Sequence, residues 1–237
     1  MTSQETYRKR YKTLNPKWLE STEIYREMVE DVVDKNSKIL DIGCGHSNLL
    51  EKAYTKAHSA YGIDPESDAI DRNPYIKEIR TEYVENLSFE DNFFDVVVSA
   101  WVFEHLPDPQ KALSEIHRVL KPGGVAIFLT PNILNYNVWI IRLIPERFHD
   151  YLTKRLYGRQ ENDTFPKKYK INSIKRIRKL FKDSNFKEEE IITNGDPSYI
   201  SFNNFTFKIA ILLEKILNMN IFKKFRVHII GKFSKEK

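Results

Sequence analysis

Cysteine is nearly missing from this 237-residue chain, with Cys44 as the one thiol. That excludes an internal disulfide and a thiolate metal cage, and it suits a reducing compartment. Glycine and proline are also sparse, at 8 and 10 residues, which excludes collagen-like and low-complexity classes. Long apolar runs are absent too. The longest uncharged stretch, 122–141, is broken by Gly123, Gly124, Pro131 and three asparagines, so no transmembrane segment is expected. Met1-Thr2-Ser3-Gln4-Glu5 leads into no apolar core, so no leader is expected and the expected location is cytoplasmic. What is present is a globular composition. At 41% hydrophobic and 13% aromatic residues the chain is too apolar for a solvated polymer and long enough to bury a sizeable core.

Charge is unevenly placed. Residues 1–144 carry 17 Lys+Arg against 22 Asp+Glu, net −5, and residues 145–237 carry 21 against 11, net +10. The basic last third is read as a solvated face, with an anionic partner as the alternative.

Periodicity sets the elements. Asn15-Pro16 opens an amphipathic helix through Trp18, Tyr25, Met28, Val29, Val32 and Val33, ending near Asp34. Ile39-Leu40-Asp41-Ile42 is a short buried strand stopped by Gly43-Cys44-Gly45. A helix over 47–56, strands over 59–64 and 79–84, and a strand over 94–100 follow. Asp108-Pro109 caps a helix that stops at Pro122-Gly123-Gly124, and a fifth strand covers 125–130. Beyond Pro131 an aromatic and basic insertion breaks the rhythm. Asn172-Ser173 then starts a helix, followed by a strand over 189–193, a helix over 205–217 and a strand over 226–232. Strands alternating with helices predict an α/β fold, a doubly wound, Rossmann-like, mostly parallel seven-stranded sheet with helices on both faces and an inserted cap after the fifth strand.

In such sheets ligands bind beyond the carboxyl ends of the strands, where strand order reverses. The first strand ends in Asp41-Ile42-Gly43-Cys44-Gly45-His46-Ser47, whose glycines permit close backbone approach to a ligand. A dinucleotide fingerprint needs a third glycine at position 48, which is Asn48. Asp64 ends the second strand, 19 residues beyond Gly45, and suits the paired hydroxyls of a ribose.

The segments ILDIGCGHSNLLE, AYGIDPES and ENLSFEDNFFDVVVSAWVFEHLPDPQKALSEIHRVLKPGGVAIFLTPN together resemble class I S-adenosylmethionine-dependent methyltransferases, and within them the ubiquinone-type O-methyltransferase relatives. The resemblance covers residues 37–132 and, more weakly, the last two strands. It implies S-adenosyl-L-methionine as cofactor and S-adenosyl-L-homocysteine as product. By that resemblance Asp41 holds the methionine portion, directly or through water, and the Gly43-Cys44-Gly45 backbone passes beneath the sulfonium. Asp64 takes the ribose hydroxyls, Pro65 lies against the adenine, Val84 and Glu85 border it, and Ala100 and Trp101 run past the methionine end. Two departures stand out. Ser47 replaces a third glycine, and the acidic residue usual at the adenine edge falls on Tyr83, with Glu82 beside it.

A sulfonium methyl is already electrophilic, so alignment alone supplies about 7–11 kcal/mol in favourable cases. Glu104-His105 follows the fourth strand and both are catalytic candidates, with His105 assigned as base toward an acceptor hydroxyl and capping of the next turn as its alternative role. No further His or carboxylate stands at ligand spacing, so no metal is expected. His46 and His117 are read as surface or packing residues, and Cys44 as structural. Substrate candidates are Tyr7 and Tyr11 in an N-terminal lid, and Tyr136, Trp139, Arg159, Phe165 and Tyr169 in the cap. The division reads 1–36 as helical lid segment, 37–131 as S-adenosylmethionine-binding core, 132–172 as inserted substrate cap, and 173–237 as completion of the sheet.

The expected activity is methyl transfer to a small molecule, at oxygen. RNA or protein methylation by the basic last third, a non-catalytic S-adenosylmethionine-binding partner and an NAD dehydrogenase are the alternatives, and nucleic acid is not the expected partner. The apolar C-terminal helix, flanked by Lys208, Lys215, Lys223 and Lys224, is expected to pack against the sheet edge, with peripheral membrane contact as the alternative.

Overall fold

A computed structural model of the protein describes residues 3–45, 48–66, 73–136, 138 and 166–236. Within them the chain forms α1 (Ser3–Leu14), α2 (Ser21–Val32), β1 (Lys38–Ile42), α3 (Glu51–Lys56), β2 (Ser59–Ile63), β3 (Glu78–Arg80) and β4 (Phe94–Ala100). It continues with α4 (Pro109–Val119), β5 (Leu120–Pro131), α5 (Ile174–Asp183), β6 (Phe186–Asn194), α6 (Asn204–Leu217) and β7 (His228–Lys235). Among the described residues no helix is long and apolar enough to cross a membrane.

The seven strands make one mostly parallel sheet in the order β3-β2-β1-β4-β5-β7-β6. β1 pairs in parallel with β2 on one side and β4 on the other. The chain thus winds outward from β1 in one direction and restarts at β4 in the other, placing the reversal of strand order between those two strands. Val96, Val97 and Val98 of β4 are at most 2% exposed. Val97 joins one apolar cluster with Leu40, Ile42, Leu113 and Phe128, and Val96 and Val98 join a second with Val29, Ile39 and Ala53. Both faces of the strand are covered, so its sequence is apolar without alternation. α4 starts where Asp108 accepts from the Lys111 N–H and Pro109 occupies the first turn, and it buries Ala112, Leu113, Ile116 and Val119. Ser173 caps α5 in the same way through the Arg176 N–H.

Several boundaries differ from the sequence reading. The first helix expected, from Asn15 to Asp34, starts only at Ser21, and a separate α1 precedes it. Asn15 is disfavoured from helical angles by Pro16, and α1 is too rich in charge to show an apolar stripe. α3 begins at Glu51, not at 47. β3 ends at Arg80 because 83–86 forms a turn, the Asn86 N–H donating to the Tyr83 carbonyl. β7 begins two residues late, at His228.

The chain divides into two compact units. One contains Thr22–Pro131, Lys167–Ile192 and Ile229–Lys237, and holds most of the sheet. The other comprises the described parts of Met1–Ser21, Asn132–Pro166 and Thr193–His228. These boundaries cut across the four contiguous segments read from the sequence. α2 beyond Ser21 lies with the sheet, and α6 lies in the second unit. The interior of that unit mixes apolar residues such as Phe207 and Leu217 with polar contacts: Arg8 pairs with Asp196 at 2.8 Å, and Trp18 Nε1 donates to the Gly195 carbonyl at 3.0 Å.

Candidate cofactor site

β1 stops where Gly43 and Gly45 take φ of +72° and +44°. The N–H groups of Gly43 and Cys44 donate to the carbonyl of Ile63 at 2.8 and 3.2 Å, folding the turn back over the end of β2. A Cβ on Gly43 would lie 2.3 Å from Val102 Cγ2, so packing and backbone angle both require glycine. Among the described residues, a Cβ on Gly45 would meet only Asp64 Oδ2, at 3.9 Å.

Asp64 ties this turn to its own. Its Oδ2 accepts from the Gly45 N–H and its Oδ1 from the Glu66 N–H, each at 3.0 Å. Each carboxylate oxygen has capacity for a second donor. Fixed in this way at 9% exposure, Asp64 has the acceptor capacity for two neighbouring hydroxyls.

Asp41 sits in β1 at 7% exposure and accepts from the Tyr54 hydroxyl. Burial pushes its carboxyl up to about 7, Tyr54 pulls the other way, and the charge of Asp64 adds to the rise. Cys44 is 1% exposed, and burial, then Asp41 and Asp64, push its thiol up to about 12. A thiol so disfavoured as thiolate is no nucleophile. Its sulfur packs on β2, only 2.7 Å from where a Cβ on Gly62 would stand.

β4 ends at Ala100, and Trp101 follows it. Trp101 holds φ +64°, and its N–H donates to the Leu129 carbonyl at 2.9 Å. A bulky residue at positive φ is strained, here beside the reversal of strand order. The next residues form a turn, with the His105 N–H donating to the Val102 carbonyl at 2.8 Å.

Glu104 is enclosed by its neighbours. It is 4% exposed, its Oε2 accepts from Thr130 Oγ1 at 3.1 Å, and that hydroxyl accepts from Asn172 Nδ2 at 2.6 Å. Its carbonyl accepts from the N–H groups of Lys168 and Tyr169. Glu104 thus braces the segment leading into α5. His105 differs: its side chain is 23% exposed, with Nε2 3.9 Å from Glu104 Oε1. It is accessible and has a carboxylate behind it.

At the expected adenine border Val84 is buried, Pro65 is half-buried and Tyr83 is exposed. Glu85 Oε1 accepts from the Asp108 N–H at 3.5 Å, so its carboxylate is drawn toward the start of α4.

Among the substrate candidates, Trp139, Arg159 and Phe165 lie outside the described residues, as do His46 and Ser47. Tyr11, expected in a lid, is a core residue of the second unit: it is 5% exposed with its ring edge-on to Trp18. Tyr7 packs on Phe207 with ring centroids 5.0 Å apart. The Tyr136 hydroxyl donates to the Asp196 carbonyl at 3.2 Å and faces Glu214 Oε1 at 3.4 Å. Tyr169 lies in the sheet unit at φ +49°. Among the described residues no group of three or more His, Cys, Asp or Glu is placed to hold a metal ion. Two residues absent from the sequence reading complete the site: Tyr54, on the inner side of α3, and Val102, against Gly43. Tyr54 was detectable as an aromatic next to Ala53 in a short helix. Val102 carried no signal, because its contact with Gly43 is made only by the fold.

Comparison with known proteins agrees with this geometry. A family model described as a methyltransferase domain matches residues 40–128. A demethylmenaquinone methyltransferase of Chlorobaculum tepidum is 30% identical over 167 residues, covering 66% of this chain and 68% of the relative. The protein of the same name from Chlorobaculum parvum is 30% identical over 175 residues, covering 70% and 71%. In fold, the chain is similar to a Haloferax volcanii protein solved in complex with the Trm112 methyltransferase activator, with TM-score 0.63 at 17% identity over 98% of this chain and 96% of that one. It is also similar to a geranyl diphosphate C-methyltransferase of Streptomyces coelicolor solved with S-adenosyl-L-homocysteine, with TM-score 0.58 at 13% identity over 90% and 77%.

Proposed function

Because the chain belongs to the class I S-adenosylmethionine-dependent methyltransferase family, we propose that its acceptor is a small molecule methylated at a hydroxyl oxygen. The observation that carries the reading is His105, an accessible imidazole in the turn just beyond β4 with the Glu104 carboxylate 3.9 Å behind it. The small-molecule part draws support from the Chlorobaculum relatives, named for a quinone-type acceptor.

The residues present fit the cofactor. Among the described residues only Asp64 Oδ2 lies within 4 Å of a Cβ built on Gly45, and Asp64 keeps acceptor capacity for a ribose after taking two backbone N–H groups. When bound, S-adenosylmethionine supplies a methyl group on a positively charged sulfur. Asp41, raised to about 7, would hold the ammonium of the methionine portion, an attraction that its burial strengthens. His105 would accept the proton that the acceptor hydroxyl gives up when its oxygen is methylated. Glu104 fixes 168–172 and so sets the surroundings of that imidazole.

Methyl transfer from isotopically labelled cofactor, offered to a panel of phenols and hydroxy acids and separately to RNA, tests the proposal. It expects label on an oxygen of a small acceptor. Label confined to RNA, protein, nitrogen or carbon would overturn it.

A further inference from the structure

α6 is apolar on two sides. Its inner side buries Phe207, Ala210 and Leu217, which accounts for the packing expected of this helix. Its outer side is not buried. Phe205, Ile209, Leu212 and Ile216 are 73, 47, 60 and 42% exposed, and Met219 and Ile221, just beyond the helix, are 56 and 70% exposed. From Phe205 to Met219 the steps alternate four and three residues, so these side chains form one stripe along the helix. Single exposed apolar residues need no explanation, whereas a contiguous stripe marks a contact surface.

The charges beside the stripe are of one sign. Lys208 and Lys215 lie one helical step off it along the same flank, and Lys223 and Lys224 follow the helix; all four are exposed. The one acidic residue between Phe202 and Phe225 is Glu214, which is 2% exposed on the inner side. The outward face of this stretch is therefore apolar and purely cationic.

From this we infer that the outer face of α6 docks on an anionic lipid surface, with the stripe entering the boundary between headgroups and acyl chains and the lysines meeting lipid phosphates. This combination of apolar stripe and lysine flank is what an interfacial helix requires. A second copy of the chain fits less well. Pairing two such faces sets lysine rows near each other with no exposed carboxylate in the segment to compensate.

The test is co-sedimentation of the full chain with phosphatidylcholine vesicles, with and without phosphatidylglycerol, at low and high salt. Two variants accompany it: Phe205→Ser with Leu212→Ser, and Lys208→Glu with Lys215→Glu. Thermal melting and S-adenosylhomocysteine binding of each variant report retained folding, since the altered side chains face outward. The expected result is binding to anionic vesicles about tenfold above neutral ones, reduced by salt and reduced at least tenfold in either folded variant. Equal partition to both vesicle types, no partition to either, or partition unchanged by the substitutions would overturn the inference. So would a dimer in sedimentation velocity that Leu212→Ser dissociates while native protein ignores vesicles.

Discussion

The hydroxyl of Tyr54, on α3, donates to the carboxylate of Asp41 at the carboxyl end of β1. This bond opposes a larger effect, burial, which raises the Asp41 carboxyl to about 7. A carboxyl raised in the folded state keeps a proton that the unfolded chain releases. From the ordinary carboxylate range up to about 7, ionising Asp41 therefore costs the folded state stability as pH rises. Cofactor binding has the opposite dependence, because an ammonium partner needs the carboxylate. Affinity for S-adenosylhomocysteine should rise with pH, by up to about tenfold per unit below pH 7, and level off above. In Tyr54→Phe the carboxyl loses its donor and the rise moves to higher pH. A calorimetric pH series on both proteins checks this; an affinity independent of pH in the native protein would exclude Asp41 from the site, and identical profiles would exclude Tyr54 from tuning it.

Gly43 is constrained twice, by φ +72° and by Val102 Cγ2, 2.3 Å from any added Cβ. Gly43→Ala should cost roughly 1–2 kcal/mol for the backbone angle alone, plus the overlap, and should weaken S-adenosylhomocysteine binding. Adding Val102→Ala should recover the overlap and leave the backbone cost. Melting and binding of the single and double variants separate the two parts; a double variant no better than Gly43→Ala would remove Val102 from the account.

His105→Ala should lower turnover by about 10²- to 10⁴-fold, the usual range for loss of a positioned base, while S-adenosylhomocysteine affinity stays near native. The acid limb of the pH–rate profile should disappear with the imidazole. Unchanged turnover would leave His105 with only a capping role.

His228 is buried between Ser21 Oγ, 2.8 Å from Nδ1, and the Tyr199 hydroxyl, 3.1 Å from Nε2. Burial lowers it to about 4 against an ordinary 6.5. Between those values the unfolded chain binds a proton that the folded chain refuses. Its contribution is thus present above about 6.5 and lost as pH falls toward 4. Glu214, raised to about 7 by burial, works in the opposite sense, so the variant-minus-native difference is the useful quantity. His228→Gln should lose less stability on the acid side, so that the variant-minus-native difference rises as pH falls from about 6.5 toward 4, as read by denaturant unfolding from pH 7 to pH 4. An unchanged slope would mean that His228 is protonated in the fold.

The sheet core was legible because its signals are local. β4 matches its expected bounds, since an apolar run covered on both faces needs no partner to be recognised. The Asp108-Pro109 and Ser173 starts of α4 and α5 were legible because capping is written into neighbouring residues. The glycine turn and Asp64 were legible by spacing. What escaped the sequence depends on distant contacts. Glu104 reads only as a candidate beside the expected base until the fold shows Thr130 and Asn172 enclosing it, and Tyr11 reads as a lid residue until Trp18 packs on it. α1 carries too much charge to reveal its periodicity. The outer stripe of α6 was visible as apolar residues, but only the fold shows which of them remain outside.

Calorimetric titration of S-adenosylhomocysteine, with NAD as control and Asp64→Ala beside the native chain, tests the cofactor assignment most directly. The account predicts binding of S-adenosylhomocysteine, none of NAD, and a loss of about tenfold or more in Asp64→Ala, where a charged hydrogen-bond partner is removed. Equal affinity of the variant, or NAD bound as well as S-adenosylhomocysteine, would contradict it.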